Sequence, residues 1–379
     1  MAPPFMIWID RPASRSGSRV DAVGRFFTEM ALFSAVLGAI VVTLALSPSA
    51  SPQQPAGVAC NRIHSEEQRH VGLEALRGGR YAAAAKAFQE SFDACPSQHA
   101  ILLELSRVDV HLRDFPGAIR TAQRFLELEP ASVDGRLALA NAYFLAQRPQ
   151  DALREAEAVL KVDPAQAFAL KLKGSVDYLS GDRDSALSAF ITLLDHHPED
   201  EEGSYMLGCI YYAEVRIDHA IGQFQRVLRI NPKSYKAFDN LGLCYQALGD
   251  TEMATHYFLT AIKLVERDHP EYDRAYANLS SLLFEEGDFE KAFAAASKAA
   301  DRNPYSARNF YFGGKALAKL GKNDLSVNWL ERSIALGPKY PEPLYLLFQV
   351  YSQLGQEDKA KAALEKFRSL KATAPRPPR

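Results

Sequence analysis

Eight prolines stand at positions 96, 130, 164, 198, 232, 270, 304 and 338, spaced by 34 residues six times and by 38 once. Chance placement of 21 prolines in 379 residues does not produce such a comb. A period of this length is one supersecondary unit repeated, since two short helices and their turns fill about 34 positions. A chain built this way folds by stacking each unit on the next, so that neighbours cover one another's apolar faces and no distant contact is needed.

A second pattern runs between the prolines. Ahead of Pro198 stand Gly174, Gly181, Ala186 and Phe190; ahead of Pro270 stand Leu241, Gly242, Tyr245, Gly249, Ala254 and Phe258. With each proline at template position 32, units begin near 65, 99, 133, 167, 201, 235, 273, 307 and 341. Position 20 is then Ala84, Ala118, Ala152, Ala186, Ala220, Ala254, Ala292, Ser326 and Ala360. Only a methyl-sized group there lets two helix axes approach closely. Gly78 and Gly79, Gly181, Gly249, Gly287, Gly321 and Gly355 mark a turn in which a left-handed residue ends the leading helix. Each proline ends the trailing helix, because it has no N–H to continue the ladder.

These residues resemble the tetratricopeptide repeat, whose signature is W-x2-L-G-x2-Y, then A-x3-F, then P. The resemblance is to members of the exported or membrane-anchored bacterial type. It covers residues 65–370 and implies an all-α, right-handed α-solenoid of about nine helix-turn-helix repeats. The sixth unit carries four extra residues in KLVERDHPEYD, read as a longer inter-repeat loop, and Arg136 and Ser204 occupy a position where they should weaken packing.

Ahead of the repeats the chain changes character. Residues 1–29 hold Arg11, Arg15, Arg19 and Arg25, and residues 30–47 hold a run without charge from Met30 to Leu46. That run is a transmembrane anchor or the core of a signal peptide, and the Arg-rich flank predicts a cytoplasmic N-terminus. Small residues broken by Pro in the linker 48–64 favour an uncleaved anchor over a cleavage site. The expected localisation is therefore membrane-anchored, with the repeats on the exported (periplasmic or extracellular) side, or secreted after signal cleavage. In such an oxidising compartment Cys60 and Cys95, at one edge of the first helix pair, could bond or stay reduced, while Cys209 and Cys244 read as free thiols within helices. Residues 371–379 form a short basic, Pro-rich tail.

If the leading helices line the concave groove, as the resemblance implies, template positions 2, 5, 9, 12 and 13 face inward. The residues expected to meet a partner are Tyr205, Tyr212, Lys236, Asn240, Arg274, Asn278, Arg308, Tyr311 and Lys315. Asp239, Phe284, Lys319, Tyr345, Gln349 and Gln353 share those positions. A basic and aromatic lining suits a protein or peptide bearing acidic or carboxylate groups. The family's clamp for a terminal carboxylate is approached by Asn240, Arg274 and Asn278, but Tyr205 and Cys209 stand where it needs Lys and Asn.

With 44 Lys and Arg against 46 Asp and Glu, the chain lacks the positive excess of a nucleic-acid binder. It has no HExxH, CxxC or phosphate-cradling glycine loop, so no catalytic residue, metal or cofactor is expected. The expected function is a non-enzymatic protein-interaction scaffold, with self-association open. The alternative is an accessory subunit of an envelope assembly or of a polysaccharide-export or secretion complex.

Overall fold

The computed structural model describes residues 60–373, and among these every regular element is an α-helix. The basic segment 1–29, the apolar run 30–47, residues 48–59 of the linker and the end of the tail lie outside the described residues. Among the described residues no helix is long and apolar enough to cross a membrane.

Eighteen helices form nine leading and trailing pairs, in two compact units covering 60–200 and 201–373. The first unit holds α1 (Arg62–Arg77) with α2 (Tyr81–Ala94), α3 (Ala100–His111) with α4 (Phe115–Leu128), α5 (Val133–Leu145) with α6 (Pro149–Leu160), and α7 (Ala167–Ser180) with α8 (Arg183–His196). The second holds α9 (Glu201–Ala213) with α10 (Ile217–Ile230), α11 (Tyr235–Leu248) with α12 (Thr251–Asp268), and α13 (Arg274–Glu285) with α14 (Phe289–Arg302). It continues with α15 (Ala307–Lys319) and α16 (Asn323–Leu336), then α17 (Glu342–Gln353) and α18 (Glu357–Thr373). Within each unit a trailing helix packs on the next leading helix, and leading helices also touch from α3 through α7 and from α9 through α17.

Every pair turns in the same way. The N–H that follows the turn's left-handed residue reaches back five residues, from Arg80 to the Ala75 carbonyl through to Gln356 and Tyr351, at 2.8–3.0 Å in all nine turns. This is the Schellman closure, and it requires a left-handed residue just before that N–H. Six turns supply glycine, at φ between 69° and 91°; the other three use Arg113, Gln147 and Val215, at φ 59°, 62° and 62°.

The pairs close by complementary sizes. Gly72, Gly174, Gly208 and Gly242 each face a phenylalanine sixteen residues on (Phe88, Phe190, Phe224, Phe258), and all four rings are fully buried. A Cβ on any of these glycines would lie 2.5–2.8 Å from the nearest ring carbon, inside contact distance. Where the later residue is Ala122, Ala156 or Ala296, the earlier one grows to Ser106, Ala140 or Ser280. The added hydroxyls are satisfied within the pair, Ser106 Oγ donating to the Ala118 carbonyl at 3.0 Å and Ser280 Oγ to that of Ala292 at 2.7 Å. The small residues at template position 20 are all buried, none more than 4% exposed.

Two expectations are corrected. The four extra residues of the sixth unit do not lengthen a loop; α12 has 18 residues where α10 and α14 have 14. Four residues are about one helical turn, so Val265 stays on the buried stripe of Ala254, Phe258 and Ala261. The longer helix end is held by Arg302, whose guanidinium stacks on Tyr276 at 4.8 Å and donates to the carbonyls of Val265, Glu266, His269 and Pro270 at 3.2–3.4 Å. Arg136 is no packing fault either, because it pairs with Glu155 at 3.0 Å and donates to the Pro130 carbonyl at 3.2 Å. Ser204, by contrast, is fully buried on α9 with no hydrogen-bond partner for its hydroxyl among the described residues, in keeping with the expected weak point.

The first pair is secured at its open end. Cys60 is joined to Cys95 with Cα atoms 4.3 Å apart, and the Asn61 N–H donates to the Ala94 carbonyl at 2.8 Å. Asn61 Oδ1 accepts from the His64 N–H at 3.1 Å, so α1 starts at Arg62. Cys209 is half-buried and Cys244 buried, both as free thiols; burial drives the Cys244 thiol strongly towards its neutral form.

Candidate functional site

The nine residues expected to meet a partner all lie in the unit 201–373, and they separate into three environments. The first is internal. Asp239 on α11 is fully buried, and a buried carboxylate is tolerated only when its oxygens are matched. Tyr272 Oη donates to Oδ2 at 2.7 Å and Asn278 Nδ2 to Oδ1 at 2.9 Å. Asn278 is itself fully buried, and its Oδ1 accepts from Arg308 Nη2 at 3.0 Å. Beside this chain Asn309 Nδ2 donates to Asp273 and to the Ala299 carbonyl.

Arg308 therefore reaches inward. It is half-buried over the Phe312 ring at 5.0 Å, and burial, reinforced by the neighbouring Arg274, lowers its pKa while Tyr340, Asp239 and Asp273 oppose the shift. Arg274 and Arg308 against Asp239 and Asp273 make a balanced set of two cations and two anions. Asn278 and Arg308, expected to face a ligand, are consumed by the joint between α11, α13 and α15.

The second environment is the joint between α9 and α11. Asn240 Nδ2 donates to Tyr205 Oη at 3.1 Å and to the Lys236 carbonyl at 2.9 Å, and Asn240 is 6% exposed. Tyr205 lies 5.8 Å from Phe224, ring to ring, and Tyr212 packs on the cluster of Leu243, Phe258 and Leu282. Lys236 is half-buried.

The third environment opens to solvent. A pocket of about 400 Å³ lies on the leading-helix face of α13, α15 and α17 and is completed by the end of α18. Tyr311 and Lys315 line it, together with Phe284, Lys319, Tyr345 and Gln349 from the other inward positions. Lys315 Nζ sits 3.9 Å above the Phe284 ring, and burial lowers its pKa against the opposing pull of Glu285. Burial, aided by Glu342, pushes the Tyr311 hydroxyl up to about 12, so it remains a neutral hydrogen-bonding group. Phe367 and Lys371 also line the pocket. They come from the last trailing helix and escape a reading confined to leading helices.

Among the described residues no group of three or more His, Cys, Asp or Glu side chains is placed to hold a metal ion. The pocket offers cations, aromatic faces and amides.

Models of the tetratricopeptide repeat match residues 103–168, 171–235, 235–304 and 342–372, together more than half the chain. Among curated proteins, the chain is similar to Protein CTR9 homolog of Arabidopsis thaliana, 33% identical over 133 residues, which are 31% of this chain and 12% of that protein. It is also similar to TPR repeat-containing protein YpiA of Bacillus subtilis (strain 168), 30% identical over 125 residues, 32% of this chain and 29% of that one. The match thus spans less than a third of either relative's length. A solved tetratricopeptide repeat protein from Parabacteroides merdae superposes with a TM-score of 0.56 at 21% identity, covering 66% of this chain and 98% of that one. The APC/C hetero-tetramer Cut9-Hcn1 gives 0.53 at 13% identity, covering 85% of this chain and 76% of that one; both likenesses speak to the fold alone. The comb of prolines, the nine matched turns and these family models agree, and the chain belongs to the tetratricopeptide repeat family.

Proposed function

We propose that this protein is a non-enzymatic interaction scaffold, tethered to a membrane or exported, that binds a peptide or protein partner on the face of its leading helices. The observation that carries this reading is the pocket over α13, α15 and α17. It gathers aromatic and cationic side chains on one solvent-facing surface, while the buried joints beside it have spent theirs on each other. The charge-free run Met30–Leu46 with its Arg-rich flank supports tethering or export, and the Cys60–Cys95 bond suits an oxidising compartment.

The test is photocrosslinking in the source cells with a benzoyl-phenylalanine at Gln349, on the leading-helix face, or at Leu259, half exposed on the trailing helix α12. The reading expects a discrete adduct from Gln349 and none from Leu259. Adducts confined to Leu259 would overturn it.

A further inference from the structure

The pocket combines two features that select an occupant. Phe284, Tyr311, Tyr345 and Phe367 supply half-buried or exposed aromatic faces, and about 400 Å³ is room for a large apolar side chain with part of its backbone. Around them stand Lys315, Lys319 and Lys371 against Glu342 in the lining and Glu285 beside Lys315, an excess of one positive charge. Lys319 and Lys371 are exposed, whereas Lys315 is drawn in over Phe284.

We infer that this pocket is the anchor site for an acidic segment of a partner protein, with one aromatic or branched aliphatic side chain inserted between the rings and flanking carboxylates on the three lysines. The inference rests on the scaffold reading above and deepens it by placing the site and stating the ligand's chemistry. Charge decides among occupants. The six residues after Thr373 carry Arg376 and Arg379 and no acid, so this chain's own tail, or that of a second copy, would bring like charge to the lysines. A free phosphate would satisfy lysines but leave four aromatic faces wet. An acidic peptide with an apolar anchor satisfies both, the anchor contributing buried area and the rim charges setting rate and selectivity.

The experiment is a selection of 12-residue random peptides displayed on phage against full-length protein in detergent, run in parallel on wild type and on the Lys319→Glu/Lys371→Glu variant. Both positions are exposed, so the variant is expected to keep the wild-type melting temperature. The expected winners carry net negative charge and one Phe, Trp, Leu or Ile. Their affinity should fall at least about tenfold on the double variant, and by a similar factor when the anchor is changed to Ala. Neutral winners, basic or Pro-rich winners resembling the tail, acidic winners indifferent to both changes, or no enrichment over the variant would each overturn the inference. A Gln349 adduct to a partner alongside any of those results would leave the scaffold reading standing, whereas adducts from Leu259 alone would sink that reading whatever the peptides do.

Discussion

At Arg113, Gln147 and Val215 the turn places a side chain where the other six turns place only a hydrogen. An L-residue in the left-handed region costs about 1–2 kcal/mol, most for a β-branched one, and Val215 is half exposed, so no packing repays it. Val215→Gly should therefore raise stability by about 1 kcal/mol in urea unfolding, after the entropy that glycine loses. The close approaches make the opposite prediction: Gly242→Ala drives a methyl into Phe258 and should cost about 1–3 kcal/mol. Combining Gly242→Ser with Phe258→Ala rebuilds the small-residue pairing of Ser280 with Ala296, and should cost less than the sum of the single changes. Asp109 gives a pH signature. Burial raises its carboxyl to about 6, partly countered by the Thr121 hydroxyl, so the folded chain binds that proton more tightly than the unfolded chain does. Stability should then fall as pH rises from about 4 through 6 and level off above, and Asp109→Asn should flatten that slope in pH-dependent unfolding. The glycine turns are legible in the sequence because glycine announces a left-handed residue. Arg113, Gln147 and Val215 are not, since nothing in those side chains advertises that conformation, and only the neighbouring spacing of 34 does.

Between elements, a buried polar chain joins successive leading helices of the second unit. Asp239, Asn278 and Arg308 link three successive leading helices, and removing one partner leaves a buried charge or amide unmatched. Arg308→Ala should lower stability by about 2–4 kcal/mol, while Lys319→Glu, on the rim of the pocket and exposed, should change it by less than about 0.5 kcal/mol. Thermal melts of the two variants make the comparison. The inward positions of this face were legible from the repeat template, and Tyr311 and Lys315 do line the pocket. The division between joint and pocket was not, because Arg308 finds Asn278 thirty residues away and a template assigns direction without naming partners. The helical extension of α12 was hidden for a similar reason: four inserted residues can make a loop or a turn of helix, and the burial of Val265 decides for the helix.

For the whole molecule, repeat stacking makes stability a sum of neighbouring interfaces, so its ends matter most. At one end the Cys60–Cys95 bond closes a separation of 35 residues, a constraint worth up to about 4 kcal/mol in the chain-entropy account. Reduction should loosen α1 and α2 first, seen as faster hydrogen exchange there than in α5 to α8. In the last pair α18 turns Lys359, Lys361, Glu365 and Lys366 to solvent, while its Phe367 and Lys371 help line the pocket. The central claim is that the leading-helix face around this pocket is where a partner sits. Hydrogen–deuterium exchange of the full chain, free and bound to the partner trapped by crosslinking, measures it directly. The account predicts slowed exchange in α13, α15 and α17 and at the end of α18, with α12, α14 and α16 unchanged. Protection confined to those trailing helices, or absent from 274–353, would contradict it.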